Sequence, residues 1–189
     1  MSYLPTSIKL DDKKVLIIGG GEVAYRKLNY ILDFTKEIFI IAPDISESMM
    51  KKIESNDLEF EKRVYRVGDI KGFDIVIIAI NDIPLQTEIF RESRDYRCLC
   101  NSVDSTLYCD FILPAYIKKD DLLITVSTSG SSPALAKHLK YYLKNLIPDS
   151  ISDFLKEMKK LRETLPKGED RMRLLNKKAK KYIESFPKK

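Results

Sequence analysis

Residues 13 to 28 read KKVLIIGGGEVAYRKL. The run from Val15 to Ile18 is apolar and stops on three glycines. Val23, Leu28, Ile31 and Leu32 then recur at helical spacings. A strand apolar along its whole length needs cover on both faces, so strand, glycine turn and helix read as the start of a parallel βαβ unit. Gly19-Gly20-Gly21-Glu22-Val23-Ala24 fits the spacing G-x-G-x-x-G/A. Gly19 permits the tight turn, Gly21 lets a pyrophosphate lie against bare backbone, and Ala24 lets the helix pack close to the strand. The helix start adds free N–H groups and a partial positive charge. In this setting the loop reads as a dinucleotide site; the alternative is a purely structural glycine turn.

Outward from that loop the pattern repeats. Apolar strands are predicted at 37–43, 73–80 and 97–103, with a short alternating strand at 58–63. Helices are predicted after the glycines, at SESMMKKIES with Ser46 as a cap, and at PLQTEIFRESRD with Pro84 in its first turn. Alternating strands and helices imply an α/β, Rossmann-like parallel sheet over residues 1–113. After Pro114 the pattern changes to two strands joined by KKDD and then an amphipathic helix with Leu135, Leu139, Tyr142 and Leu143 on one stripe. Residues 114–147 are read as a dimerisation segment. Residues 148–189 offer two more helices separated by PKG and are read as a small helical domain.

Which dinucleotide follows from the second strand. A carboxylate beyond its end would bond the ribose hydroxyls, and the sequence there is IIAPDIS. Asp44 fits, displaced slightly by Pro43, and no Lys or Arg adjoins it to receive a 2′-phosphate, which favours NAD over NADP. The alternative for Asp44 is a turn or helix cap. Two further acids fall at strand ends, Asp82 and Asp104. Asp104 follows NSV where the chain heads toward the second domain. A carboxylate there can take a proton while hydride leaves to a nicotinamide; otherwise it is a turn residue.

Other features point to bland roles. His138, the single histidine, reads as a partly buried helix residue. Cys98 and Cys100, in an apolar strand, read as two buried thiols with Cys109 a third nearby in sequence rather than as a metal or redox site, since there is no secretion signal and no matching His or Cys cluster. No apolar run approaches the ~20 residues of a membrane span, so a cytoplasmic, non-membrane protein is expected. The net charge is +5, yet residues 151–189 alone hold 13 Lys and Arg against 6 Asp and Glu. Such a tail attracts an anionic partner or is simply a solvated helical face. It lacks an aromatic-interleaved basic motif, which argues against nucleic acid.

Taken together and in order, LPTSIKLDDKKVLIIGGGEVAYRK, IIAPD, GFDIVIIAIND, CNSVDSTLYCDFILPA and LLITVSTSGSSPALAKHLK resemble the precorrin-2 dehydrogenase / sirohydrochlorin ferrochelatase family, which is also the N-terminal module of siroheme synthases. The resemblance covers residues 3 to 147. It implies NAD-dependent oxidation of precorrin-2 to sirohydrochlorin and a homodimer built through the middle segment. It implies that Asp104 matches the catalytic aspartate of N-x-V-D, and that Glu22-Val23 and Pro43-Asp44 match NAD-contacting pairs. A polycarboxylate tetrapyrrole also suits the basic tail. The chain departs from the family at Ser129, where glycine is common, and at Ser105. The alternatives are a sirohydrochlorin metal chelatase, in addition or instead, and a non-catalytic NAD-sensing module.

Overall fold

The computed structural model describes residues 3–103 and 106–186. The chain divides into two compact units, Tyr3–Ile112 and Leu113–Lys189.

In the first unit, β1 (Val15–Ile18), β2 (Ile38–Ile41), β3 (Glu59–Glu61), β4 (Ile75–Ile78) and β5 (Leu99–Ser102) form one parallel sheet in the order β3-β2-β1-β4-β5. All eight side chains of β1 and β4 are buried, which is why both strands read as continuous apolar runs. Helices α1 (Glu22–Leu32) and α2 (Glu47–Asn56) bury Ala24, Leu28, Ile31, Met49 and Ile53. Helix α3 (Ile83–Tyr96) buries Gln86, Ile89 and Ser93. Each large aliphatic chain so covered is worth ~1.5–3 kcal/mol, so truncating Ile17 at the sheet centre would cost ~2–5 kcal/mol. This is a Rossmann-like α/β fold, as the sequence predicts.

The strands are shorter than predicted because their ends turn into loops. β3 is an exposed edge whose Glu59 and Glu61 keep it from pairing further. Beyond it, Arg63 bridges to Glu61 and, at 2.6 and 2.9 Å, to both oxygens of Asp69. The opposite edge is covered by residues 109–111. The Asp110 N–H donates to the Cys100 carbonyl at 2.8 Å, and the Cys100 N–H donates to the Asp110 carboxylate at 2.8 Å. The caps follow the sequence: Ser46 accepts from the Met49 N–H, and Asp82 accepts from the Leu85 N–H at 3.0 Å with Pro84 in the first turn. Asp82 is therefore spent as a helix cap.

In the second unit, β6 (Ala115–Lys119) and β7 (Leu122–Val126) pair antiparallel around Asp120-Asp121, with Asp120 left-handed at φ 47°. Helix α4 (Pro133–Leu146) packs on this hairpin and is capped by Ser132. It buries only Ala136. Leu135, Leu139 and Tyr142 of the predicted stripe remain 52%, 38% and 51% exposed, so the stripe is not the core of this unit. His138 is exposed rather than partly buried, since it lies two residues, about 200°, round the helix from Ala136, the one residue α4 buries. Helices α5 (Ile151–Thr164) and α6 (Glu169–Glu184) form a hairpin clasped by Phe154 stacked on Tyr182 at 4.0 Å and by Lys178–Glu157 at 2.6 Å. The Arg171 guanidinium donates to the Arg162 and Leu165 carbonyls, satisfying the end of α5.

Candidate functional site

The order of strands reverses between β1 and β4, and ligands of such sheets bind beyond the carboxyl ends at that point. The glycine loop leaves β1 there. The Gly19 N–H donates to the Ile41 carbonyl at 2.9 Å, and the Ser46 N–H to the Gly20 carbonyl at 2.9 Å, so the loop is tied to the end of β2.

The three glycines do different jobs. Gly19 has φ +123°, and a Cβ on it would lie 2.2 Å from the Ala79 carbonyl oxygen beyond β4. A Cβ on Gly20 would lie 2.0 Å from the Asp44 carbonyl oxygen. Both obstacles are backbone, so neither position has room for a side chain. Gly21 has nothing within 4 Å of the same point. It is the N-cap of α1, with no side chain capping the helix. The first two glycines are thus demanded by the protein's own packing, whereas the third leaves an open cradle at a helix N-terminus. That cradle fits a dinucleotide pyrophosphate, because the first-turn N–H groups of a helix have no intrahelical partner and can meet an anion.

The structure brings the sequence-predicted residues Gly19, Gly20, Gly21, Glu22 and Val23 to one sheet edge with Pro43 and Asp44. Asp44 is exposed, and its backbone abuts Gly20. Asp104 lies outside the described residues, as does Ser105. The residues just before them are described. Val103 closes the β4–β5 ladder through its N–H to the Ile78 carbonyl at 3.2 Å. Asn101 accepts from the Lys27 ammonium at 3.2 Å and donates to the Phe111 carbonyl at 2.8 Å. The Cys109 thiol accepts from the Ser102 N–H at 3.1 Å and donates to the Ser102 carbonyl at 3.0 Å.

Burial sets the protonation of this cluster. It lowers the Lys27 pKa from the usual lysine value. It raises the Cys109 thiol pKa, although the Ser102 N–H opposes the rise. The thiol is therefore a neutral strand-edge partner. Cys98 and Cys100 are buried and free. Among the described residues no three His, Cys, Asp or Glu side chains gather as a metal site. The roles of Lys27 and Cys109 were missed by sequence reasoning: each pairs with a residue made adjacent by the sheet, and no local pattern signals it.

A family model, NAD_binding_7, described as NAD(P)-binding, matches residues 6–115. The chain belongs to this NAD(P)-binding family. The matched stretch contains the whole five-stranded sheet and the open Gly21 cradle. The chain is also 31% identical over 163 residues to a siroheme synthase of Photorhabdus laumondii, covering 86% of this chain and 35% of that protein. It is 34% identical over 163 residues to a siroheme synthase of Methylococcus capsulatus, covering 86% and 34% respectively. It thus spans about a third of the length of these relatives. Among solved structures, SirC, a precorrin-2 dehydrogenase, superposes with a TM-score of 0.75 at 23% identity, over 93% of this chain and 88% of that one. At that identity the likeness concerns the fold. Among the described residues no helix is long and apolar enough to cross a membrane.

Proposed function

We propose that this chain is an NAD-dependent dehydrogenase that oxidises precorrin-2 to sirohydrochlorin. The observation that carries the reading is the open cradle at Gly21, following the Gly20 turn that abuts Asp44, in a chain whose relatives are siroheme synthases and whose fold is shared with a precorrin-2 dehydrogenase. Bound NAD supplies a hydride acceptor. The first-turn N–H groups of Glu22 and Val23 hold the pyrophosphate, and Asp44 accepts from the ribose hydroxyls, which a 2′-phosphate would repel. Asp104 takes the proton released as the macrocycle loses two electrons. The exposed lysines and arginines of α5 and α6 steer the polycarboxylate substrate toward the protein.

In this reading residues 1–113 bind the nucleotide, 114–147 dimerise and 148–189 form the helical domain. The exposed Leu135, Leu139 and Tyr142 of α4 support a homodimer through the middle segment. Sedimentation of wild type and Leu139→Glu tests that assembly.

The deciding experiment supplies precorrin-2 with NAD or NADP and follows NADH absorbance. Turnover with NAD, abolished in Asp104→Ala, is expected. No NADH from wild type would refute the activity, and unchanged turnover in Asp104→Ala would refute that residue's role. Sirohydrochlorin with ferrous or cobaltous ion in the same cuvette reads chelatase activity.

A further inference from the structure

We propose that Gln86 is a positioning residue that holds the carboxyl ends of β4 and β5 in the geometry the reaction needs. Gln86 is wholly buried in α3, 0% exposed. A buried amide must find partners for both its oxygen and its nitrogen. The Gln86 Nε2 donates to the Ile80 carbonyl at 2.8 Å, and its Oε1 accepts from the Ser102 hydroxyl at 2.6 Å. Ile80 follows Ala79, whose carbonyl is the wall against Gly19. Ser102 ends β5, two residues before Asp104.

These places matter because they lie at the carboxyl ends of the paired strands, past the last residues in register, Ile78 and Ser102. Among the described residues the last backbone bond between the two segments is that of Val103 to Ile78. Beyond β4 the Ile80 carbonyl has left the sheet, and the side chain of Gln86 reaches back across to hold it. One amide therefore ties the segment behind the glycine loop to the segment that leads into Asp104. A methionine would fill the same volume without a buried polar group, but it would release both ends. A misplacement of about 1 Å at such a site costs on the order of 100-fold in rate.

The inference rests on the reading that this edge takes NAD and that Asp104 serves hydride transfer. Its test separates the two ties. Gln86→Met breaks both. It should weaken NAD binding by about 10-fold in calorimetry and lower kcat by about 10-fold or more. Ser102→Ala breaks only the β5 tie. It should lower kcat while leaving the KM for NAD within about twofold, and the double variant should be no slower than Gln86→Met, as expected of residues in one network. NAD affinity and kcat within twofold of wild type in Gln86→Met would overturn the proposal, whatever its melting temperature. Should Gln86→Met not fold, an unchanged kcat in Ser102→Ala overturns it. Should wild type not oxidise precorrin-2, the reaction reading fails by itself, and NAD calorimetry on Gln86→Met still decides whether Gln86 sets the cofactor edge.

Discussion

Adding one methyl group at Gly20 or at Gly21 separates what the fold requires from what the ligand requires. At Gly20 the new Cβ would sit 2.0 Å from the Asp44 carbonyl oxygen and 2.9 Å from the Ile45 Cα. Neither atom can swing aside as a side-chain tip would, so the β2–α2 connection must shift. Overpacking of this kind costs ~1–3 kcal/mol. At Gly21 the methyl meets nothing within 4 Å, and φ −86°, ψ −170° is open to alanine. The loss of a good N-cap residue and the reduced freedom of the unfolded chain oppose each other, leaving a net change within ~1 kcal/mol. In the proposed binding mode the same methyl would occupy the path of the pyrophosphate. Loss of one hydrogen bond to a charged group costs ~1.5–3 kcal/mol, which is about 10- to 150-fold in affinity. Urea unfolding and NAD calorimetry on Gly20→Ala and Gly21→Ala measure both effects. The expected pattern is a fold defect in the first and a binding defect with near-native stability in the second. Gly21→Ala binding NAD within twofold of wild type would refute the assignment of that cradle.

Other consequences are as direct. Ser129 sits left-handed at φ 51°, which costs a residue with a Cβ ~1–2 kcal/mol, so Ser129→Gly should raise stability by ~0.5–1 kcal/mol after the entropy of glycine is subtracted; calorimetric melting checks this. Burial works to raise the Asp110 pKa, but the Arg94 guanidinium at 2.9 and 2.5 Å and the Cys100 N–H outweigh it, so the carboxyl titrates below its usual range. Its unfolded pKa is ~3.9, so its contribution is present above that pH and is lost as pH falls through the lower folded value. Asp110→Asn should lose up to ~1 kcal/mol at pH 7, the exposed Arg94 pair being screened by solvent, and show a flatter acid limb in urea titrations over about pH 2 to 5. If the basic helices steer a polycarboxylate, kcat/KM for precorrin-2 should fall steeply with salt while kcat holds, and Lys177→Glu with Lys180→Glu should flatten that slope.

Much of the first unit was legible in the chain because its signals are local. Val15 to Ile18 and Ile75 to Ile78 are apolar at every position, and only a strand covered on both faces accepts that pattern in so short a run. Ser46 announces a helix start through a bond made within one turn, and Pro84 and Pro133 do so through a φ already set for the first turn. The glycine spacing marked the loop for the same reason. The second unit was legible as strands and helices, but the stripe on α4 did not disclose that its Leu135 and Tyr142 would stay half-exposed. Periodicity reports that a face is apolar and is silent about what lies against it.

By itself, then, the sequence determined the class of sheet, the turn that opens it and the helix start that can face an anion, since these depend on neighbours a few residues apart. Only the tertiary structure decided that Gly20 is barred by Asp44, that Lys27 reaches Asn101, and that Gln86 joins Ile80 to Ser102. Those contacts exist because the crossovers set β4 beside β1 and β5 beside β4, and strand order is a property of the folded sheet that no stretch of local sequence carries.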